Sequence, residues 1–208
     1  YFGYNDYGAL DFRLQASGQQ QAVKFDGARH LVATGSNHHI HILNPVAEFK
    51  PQSTHILWDT AAAMKKAECQ LAGYMLAAAQ KFWEDTANGE PPAEYMQTGV
   101  LLYGQYAYLY RMNCDPQQLR EIASTDGLQD CARLELVRYQ SFLEPADPTE
   151  KVVDDEPFDL DDCGDREQFV RILLSFLKCS DAVVEKLQLQ GCSVDNVSRA
   201  KKRKRSSA

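Results

Sequence analysis

Residues 38–51 read HHIHILNPVAEFKP. Ile40 and Ile42 alternate with His39 and His41, so this run predicts a strand with one apolar face. Asn44-Pro45 breaks or bends it, residues 46–50 resume it, and Pro51 ends it. Upstream, residues 29–33 form a partner strand across Thr34-Gly35-Ser36-Asn37, a hairpin signal. Further upstream, residues 8–15 and 21–25 flank the turn dipeptide Ser17-Gly18. Downstream, Asp59 or Thr60 can cap the clearest helix of the chain, residues 60–83. Its apolar stripe is Ala63, Ala67, Leu71, Tyr74, Met75 and Ala78, recurring at three- and four-residue steps. After a loop over residues 88–92, two aromatic runs, 94–103 and 105–112, make a second hairpin about Gly104. Asp115-Pro116 opens a helix to about residue 124. A further helix is expected over 128–142, and an amphipathic one over 166–189 with Phe169, Ile172, Leu173, Phe176 and Leu177 on one face. Strands, long helix, strand pair, then helices predict an α/β (α+β) fold: a mixed central β-sheet flanked by helices.

The 208 residues carry 22 Lys+Arg against 29 Asp+Glu, a net charge of −7, but the charge is segregated. Residues 144–165 hold ten acids against Lys151 alone, together with Pro145, Pro148 and Pro157, and read as a solvated acidic linker. Lys201, Lys202, Arg203, Lys204 and Arg205 form a basic run near the end, the pattern of a nuclear-import signal or a nucleic-acid contact. Removing the linker's −9 and the tail's +5 from the total leaves −3, an ordinary value for a globular body. The expected organisation is a core over 1–143, the linker over 144–165, the amphipathic helix over 166–192 and the basic tail over 193–208. No apolar run approaches the roughly 18–20 residues of a membrane span. Because the first residue is Tyr1, the chain is expected to be a fragment or a processed form. Cys69, Cys114, Cys131, Cys163, Cys179 and Cys192 lie too far apart to spell a zinc ribbon or redox pair. They read as reduced thiols of an intracellular protein.

One constellation carries chemistry. Asp26 ends the run 22–25, Glu48 and Lys50 share a face of the next strand, and Gln70 and Tyr74 share a face of the following helix. Two carboxylates and a backbone carbonyl make a hard oxygen site suited to Mg²⁺ or Mn²⁺. A nearby lysine can activate water and neutralise charge on a phosphoryl transition state. A lone Glu-x-Lys carries little, and its plainer reading is an ion pair on a solvated face; the ordered set is the informative part. Asp11 in GALDF is the rival upstream acid, ranked below Asp26 because the hairpin from Asp26 leads directly into the Glu48 strand. His38, His39 and His41 read as surface histidines, with no acid or Cys at ligand spacing to complete a metal set. Tyr106, Tyr108 and Tyr110 alternate along one strand face and read as core or half-buried rings, although tyrosines can also stack on bases.

The ordered set resembles the PD-(D/E)XK nuclease superfamily, most nearly the nuclease-like proteins of fungal genomes. The likeness lies in the Asp opening a hairpin, the strand ending VAEFKP, the helix box AECQLAGYM, and the strand pair GVLLYGQYAYLYRM. It covers residues 23–112. Phe25 stands where Pro often precedes the acid, and residues 1–8 are too short to supply the helix that usually leads the core. The resemblance implies a restriction-endonuclease-like core with Asp26, Glu48 and the Phe49 carbonyl as metal ligands. Lys50 would position or activate water, and Gln70 and Tyr74 would support the site. The activity implied is Mg²⁺- or Mn²⁺-dependent hydrolysis of DNA, or of RNA; the basic tail, outside the resemblance, adds the expectation of a nuclear location with an import receptor as its partner. The alternatives are a catalytically inactive nuclease-fold module that binds nucleic acid or protein, and a nuclear-targeted effector or toxin nuclease.

Overall fold

The computed structural model describes residues 13–16, 18–35, 39–50, 60–86, 95–124, 135–139 and 157–196. Two strands, β1 (Arg13–Ala16) and β2 (Gln19–Ala22), form a small hairpin about Gly18, whose φ of 69° is freely open only to glycine. This hairpin stands apart from the main sheet. The main sheet begins with β3 (Gly27–Thr34) and β4 (His39–Lys50), paired antiparallel as the hairpin signal predicts. Next come α1 (Thr60–Thr86), β5 (Met96–Tyr103), β6 (Tyr106–Asn113) and α2 (Pro116–Ala123). The chain continues through β7 (Leu136–Tyr139), β8 (Phe158–Asp159), α3 (Cys163–Leu189) and β9 (Ser193–Asn196). The strand order is β7-β6-β5-β4-β3-β9, with β8 also paired to β6. Only β4 and β5 are parallel among these pairs. Parallel neighbours need a crossover, and α1 supplies it by packing on both strands. Among the described residues the molecule is therefore a mixed α/β domain with a mixed central sheet and three flanking helices.

The apolar stripe of α1 meets the sheet through Ala67, Leu71, Met75, Ala78, Ala79 and Phe82, each fully buried. Burying Leu71, Met75 and Phe82 stabilises by about 1.5–3 kcal/mol each. Ala63, expected in the stripe, is exposed, since the helix begins beyond the surface it covers. Gly99 lets α1 approach β5: a Cβ there would lie 2.6 Å from Met75 Sδ and 3.1 Å from Leu71 Cδ1. The opposite face of the sheet is closed by α3. Phe169 and Phe176 pack with Ala47, Val100, Ala107, Leu109 and Phe158, and Arg29 binds Asp181 at 2.6 Å and Ser180 Oγ at 2.7 Å.

Three expectations are corrected. The helix expected over 128–142 is, where described, strand β7: Leu136–Tyr139 satisfies the open edge of β6, and residues 128–134 and 140–142 lie outside the described residues. Of the linker expected over 144–165, residues 144–156 lie outside the described residues, and residues 157–165 are part of the fold. Phe158 is only 3% exposed, β8 pairs with β6, and Asp162 caps α3 by accepting from Gly164 N at 2.8 Å and Asp165 N at 2.9 Å. The stretch expected to open the basic tail is strand β9, which closes the β3 edge. In each case a backbone edge or an apolar face took a partner that short-range pattern could not anticipate. The five described cysteines are free, and no described helix is long and apolar enough to cross a membrane.

β4 runs unbroken through Asn44-Pro45, whose peptide is cis. Opposite it the register with β3 shifts between Ala28↔Val46 and His30↔Leu43, leaving two β4 residues against Arg29 alone, a β-bulge. The Asn44 side chain takes over pairing to β5. Its Nδ2 donates to Met96 O at 2.9 Å, and its Oδ1 accepts from Thr98 N at 3.0 Å and from Thr98 Oγ1. Gln97 Nε2 reaches Leu43 O at 2.8 Å and Tyr95 Oη donates to Gln97 Oε1 at 2.9 Å, so this buried polar group is well satisfied.

Two tests follow from the packing. Gly99→Val should destabilise the fold by roughly 1–3 kcal/mol, because the new side chain overlaps Met75 and Leu71; urea unfolding measures it. The second concerns His30, which is 2% exposed and lies 3.0 Å from His41, Nε2 to Nδ1. Burial first, then the neighbouring His41, lowers its pKa from 6.5 to about 4. The unfolded chain therefore binds the proton more readily, and stability falls as pH drops through that window, by up to about 1.4 kcal/mol per pH unit for one proton. His30→Gln should flatten the slope of unfolding free energy between pH of about 6.5 and 5; an unchanged slope would refute this assignment.

Candidate active site

Side-chain parity along β4 decides what faces α1. The His41 ring lies beside α1, within electrostatic reach of Asp85 and Lys81 of that helix. Seven residues later, Glu48 also lies beside α1, next to Tyr74. In a regular strand an odd separation would place these two on opposite faces; the extra residue of the bulge restores the match. Val46, Glu48 and Lys50 thus face α1, while Ala47 and Phe49 join the α3 side, where the Phe49 ring packs over Gly27 at 3.0 Å from a Cβ built there.

Asp26 stands one residue before β3 and half-buried, with its Oδ2 accepting from Phe49 N at 3.1 Å. This bond ties the loop acid to the end of β4. Glu48 is 0% exposed, and Lys50 Nζ sits in ion-pair contact with its Oε1. The Lys50 side chain is 33% exposed, so its ammonium has the carboxylate on one side and solvent on the other. Tyr74 closes the group from α1, its ring edge-on to Phe25 with centroids 5.4 Å apart. The solvated ion pair considered for Glu48 and Lys50 is thereby corrected: the acid is wholly enclosed.

Electrostatics make Glu48 the unusual member. Burial raises its pKa; Lys50 opposes that shift and Asp26 adds to it. Burial and the negative charge of Glu48 and Asp26 likewise raise the Tyr74 hydroxyl. Asp26, Lys50 and Tyr74 all lie within polar reach of the Glu48 carboxylate. Even so, neither oxygen meets a donor in good hydrogen-bond geometry. A buried carboxylate without aligned donors is costly unless a cation completes it. Glu48, the facing Asp26 and the Phe49 carbonyl thus fit a divalent ion bound through oxygen. Among the described residues no group of three or more His, Cys, Asp and Glu clusters at metal-binding range, so such an ion would keep much of its water.

The structure thus gathers Asp26, Glu48, Phe49, Lys50 and Tyr74. Gln70 lies one turn before Tyr74 on α1, half-buried, and its side chain forms no hydrogen bond to the described residues. Asp11, His38 and the run Lys201, Lys202, Arg203, Lys204 and Arg205 lie outside the described residues. His39 is exposed, bonding Thr34 Oγ1 at 3.1 Å, whereas His41 is half-buried against His30 rather than on the surface. Sequence reasoning missed Arg138, which pairs with Glu68 and lies over the rings of Tyr108 at 5.1 Å and Tyr110 at 5.8 Å. A helix had been expected there, which hid its place on the sheet.

Glu48→Gln tests whether the enclosed charge is held for a ligand. Because the folded pKa of Glu48 is raised, its ionisation opposes folding near neutral pH. In EDTA the variant should melt at or above the wild-type temperature, and it should lose any stabilisation conferred by Mn²⁺. A variant that melts lower in EDTA yet keeps the Mn²⁺ shift would refute the reading. The chain matches no protein-family model, no curated protein and no solved structure.

Proposed function

We propose that this chain is a Mg²⁺- or Mn²⁺-dependent phosphodiesterase with a restriction-endonuclease-like core of the PD-(D/E)XK kind, hydrolysing DNA or RNA. The observation that carries the reading is the enclosed, donor-poor Glu48 carboxylate beside Asp26 and Lys50 at the end of β4. A surface ion pair would be solvated; this acid is wholly enclosed, with Lys50 in ion-pair contact with Oε1 and no aligned donor at Oε2. The β4–α1–β5 unit with an antiparallel β3 beside it suits such a core.

In hydrolysis a water oxygen bonds to phosphorus, the P–O bond to the leaving sugar oxygen breaks, and a proton from water ends on that oxygen. Asp26, Glu48 and the Phe49 carbonyl would hold the divalent ion, which would supply Lewis acidity and lower the pKa of water. Lys50, anchored by Glu48 and open to solvent, orients the attacking water and offsets charge gathering on the phosphoryl oxygens. Asp26 secures the end of β4 through the Phe49 N–H, which preserves the spacing of both acids. Tyr74 and Phe25 shield the carboxylates from bulk water. Lys201, Lys202, Arg203, Lys204 and Arg205 would serve as the address read by an import receptor.

Plasmid nicking in Mg²⁺ or Mn²⁺ is the deciding experiment. Lys50→Ala and Glu48→Ala should each lower cutting by at least about a hundredfold, with circular dichroism unchanged. Cutting that survives both substitutions removes the reading. Absence of cutting by wild type, with nucleic acid still bound, would favour an inactive binding module of the same fold.

A further inference from the structure

Residues paired across neighbouring strands share a face of the sheet. Lys50 pairs with Tyr103 and Tyr103 with Tyr106, so these three form one row across β4, β5 and β6. Glu48, Leu101 and Tyr108 form the next row inward. Cover by α1 is uneven. Leu71 and Met75 press on Gly99, and Leu101 is fully buried, whereas Tyr103, Tyr106 and Tyr108 stay half-buried at the margin. Buried tyrosines normally give the hydroxyl a partner. Tyr95 and Tyr110 do so, bonding Gln97 Oε1 at 2.9 Å and Glu68 Oε1 at 2.7 Å. The hydroxyls of Tyr103, Tyr106 and Tyr108 bond no described residue.

We propose that Tyr103 and Tyr106, backed by Tyr108, are a stacking platform for the unpaired bases of single-stranded nucleic acid leading to the Glu48–Lys50 pair. The placement rests on the proposed phosphodiesterase in one respect, that Lys50 marks where the reacting phosphate lies. Strands about 4.8 Å apart set the two rings one and two steps from Lys50, the scale of successive nucleotides. An aromatic ring can stack on a base only if that base has a free π-face, which bases within a duplex lack.

The test is fluorescence anisotropy in EDTA, where no metal-dependent cutting occurs, with labelled oligothymidylate and an equally long dA·dT duplex as probes. The wild type should bind the single strand more tightly. Tyr103→Leu and Tyr106→Leu should each weaken single-strand binding by about five- to a hundredfold, the range of one lost stack, with little change for the duplex. Tyr106→Trp, with a wider face, should bind the single strand at least as tightly as wild type, which keeps the question decidable should a leucine variant fail to fold. Equal affinity for both probes, single-strand binding unmoved by the leucines, or a weakened Tyr106→Trp overturns the platform. Single-strand binding through the tyrosines in a protein that never cuts leaves the platform and removes the nuclease. Cutting that depends on Glu48 and Lys50 without any single-strand preference does the reverse.

Discussion

The extra residue in β4 is the constraint on which the site depends. β4 is paired on both edges and covered on both faces, by α1 and α3, so each of its side chains is committed to one environment. The bulge at Asn44-Pro45 changes that commitment midway along the strand. It lets His41 at one end and Glu48 at the other both lie beside α1. Proline has no N–H to donate, and the Asn44 amide bridges to Met96 and Thr98 in its stead. The irregularity is thus held by a well-bonded buried polar group rather than left as a defect.

The bulge delivers a carboxylate into an enclosed space, and that is energetically unfavourable. Lys50 offsets part of the cost, but Asp26 adds to it, and the neighbouring phenol of Tyr74 presents no aligned donor. Ordinary folding would favour a neutral side chain there. Groups that oppose stability while meeting at one place are characteristic of sites maintained for binding or chemistry. The His30–His41 pair, toward the other end of β4, shows the other outcome of burial, in which the groups are held neutral and face one another.

Beyond the site, the described C-terminal elements finish the sheet. β8 and β7 share the β6 edge, α3 closes the second face, and β9 closes the β3 edge. Bringing β7 alongside β6 also sets Arg138 over Tyr108 and Tyr110. The aromatic margin next to Lys50 thus follows from long-range pairing, between residues far apart in the chain.

Local pattern made much of this legible. Alternation in HIHIL marked β4, the Ala-rich three- and four-residue stripe marked α1, Gly104 marked the β5–β6 turn, and Asp115-Pro116 marked the start of α2. The order of Asp26, Glu48, Lys50 and Tyr74 also stood in the sequence, although Asp26 lies one residue before β3 rather than on a strand. Tertiary structure alone decided the rest. Leu136–Tyr139 became a strand because β6 had an open edge, and Phe158 was buried because the sheet had an uncovered face. Glu48 changed from one half of a plausible surface ion pair into an enclosed charge because a bulge reset the parity of β4 beneath α1. Short-range sequence sets the period and ends of an element; which face it buries, and what its edges pair with, depend on partners distant in the chain.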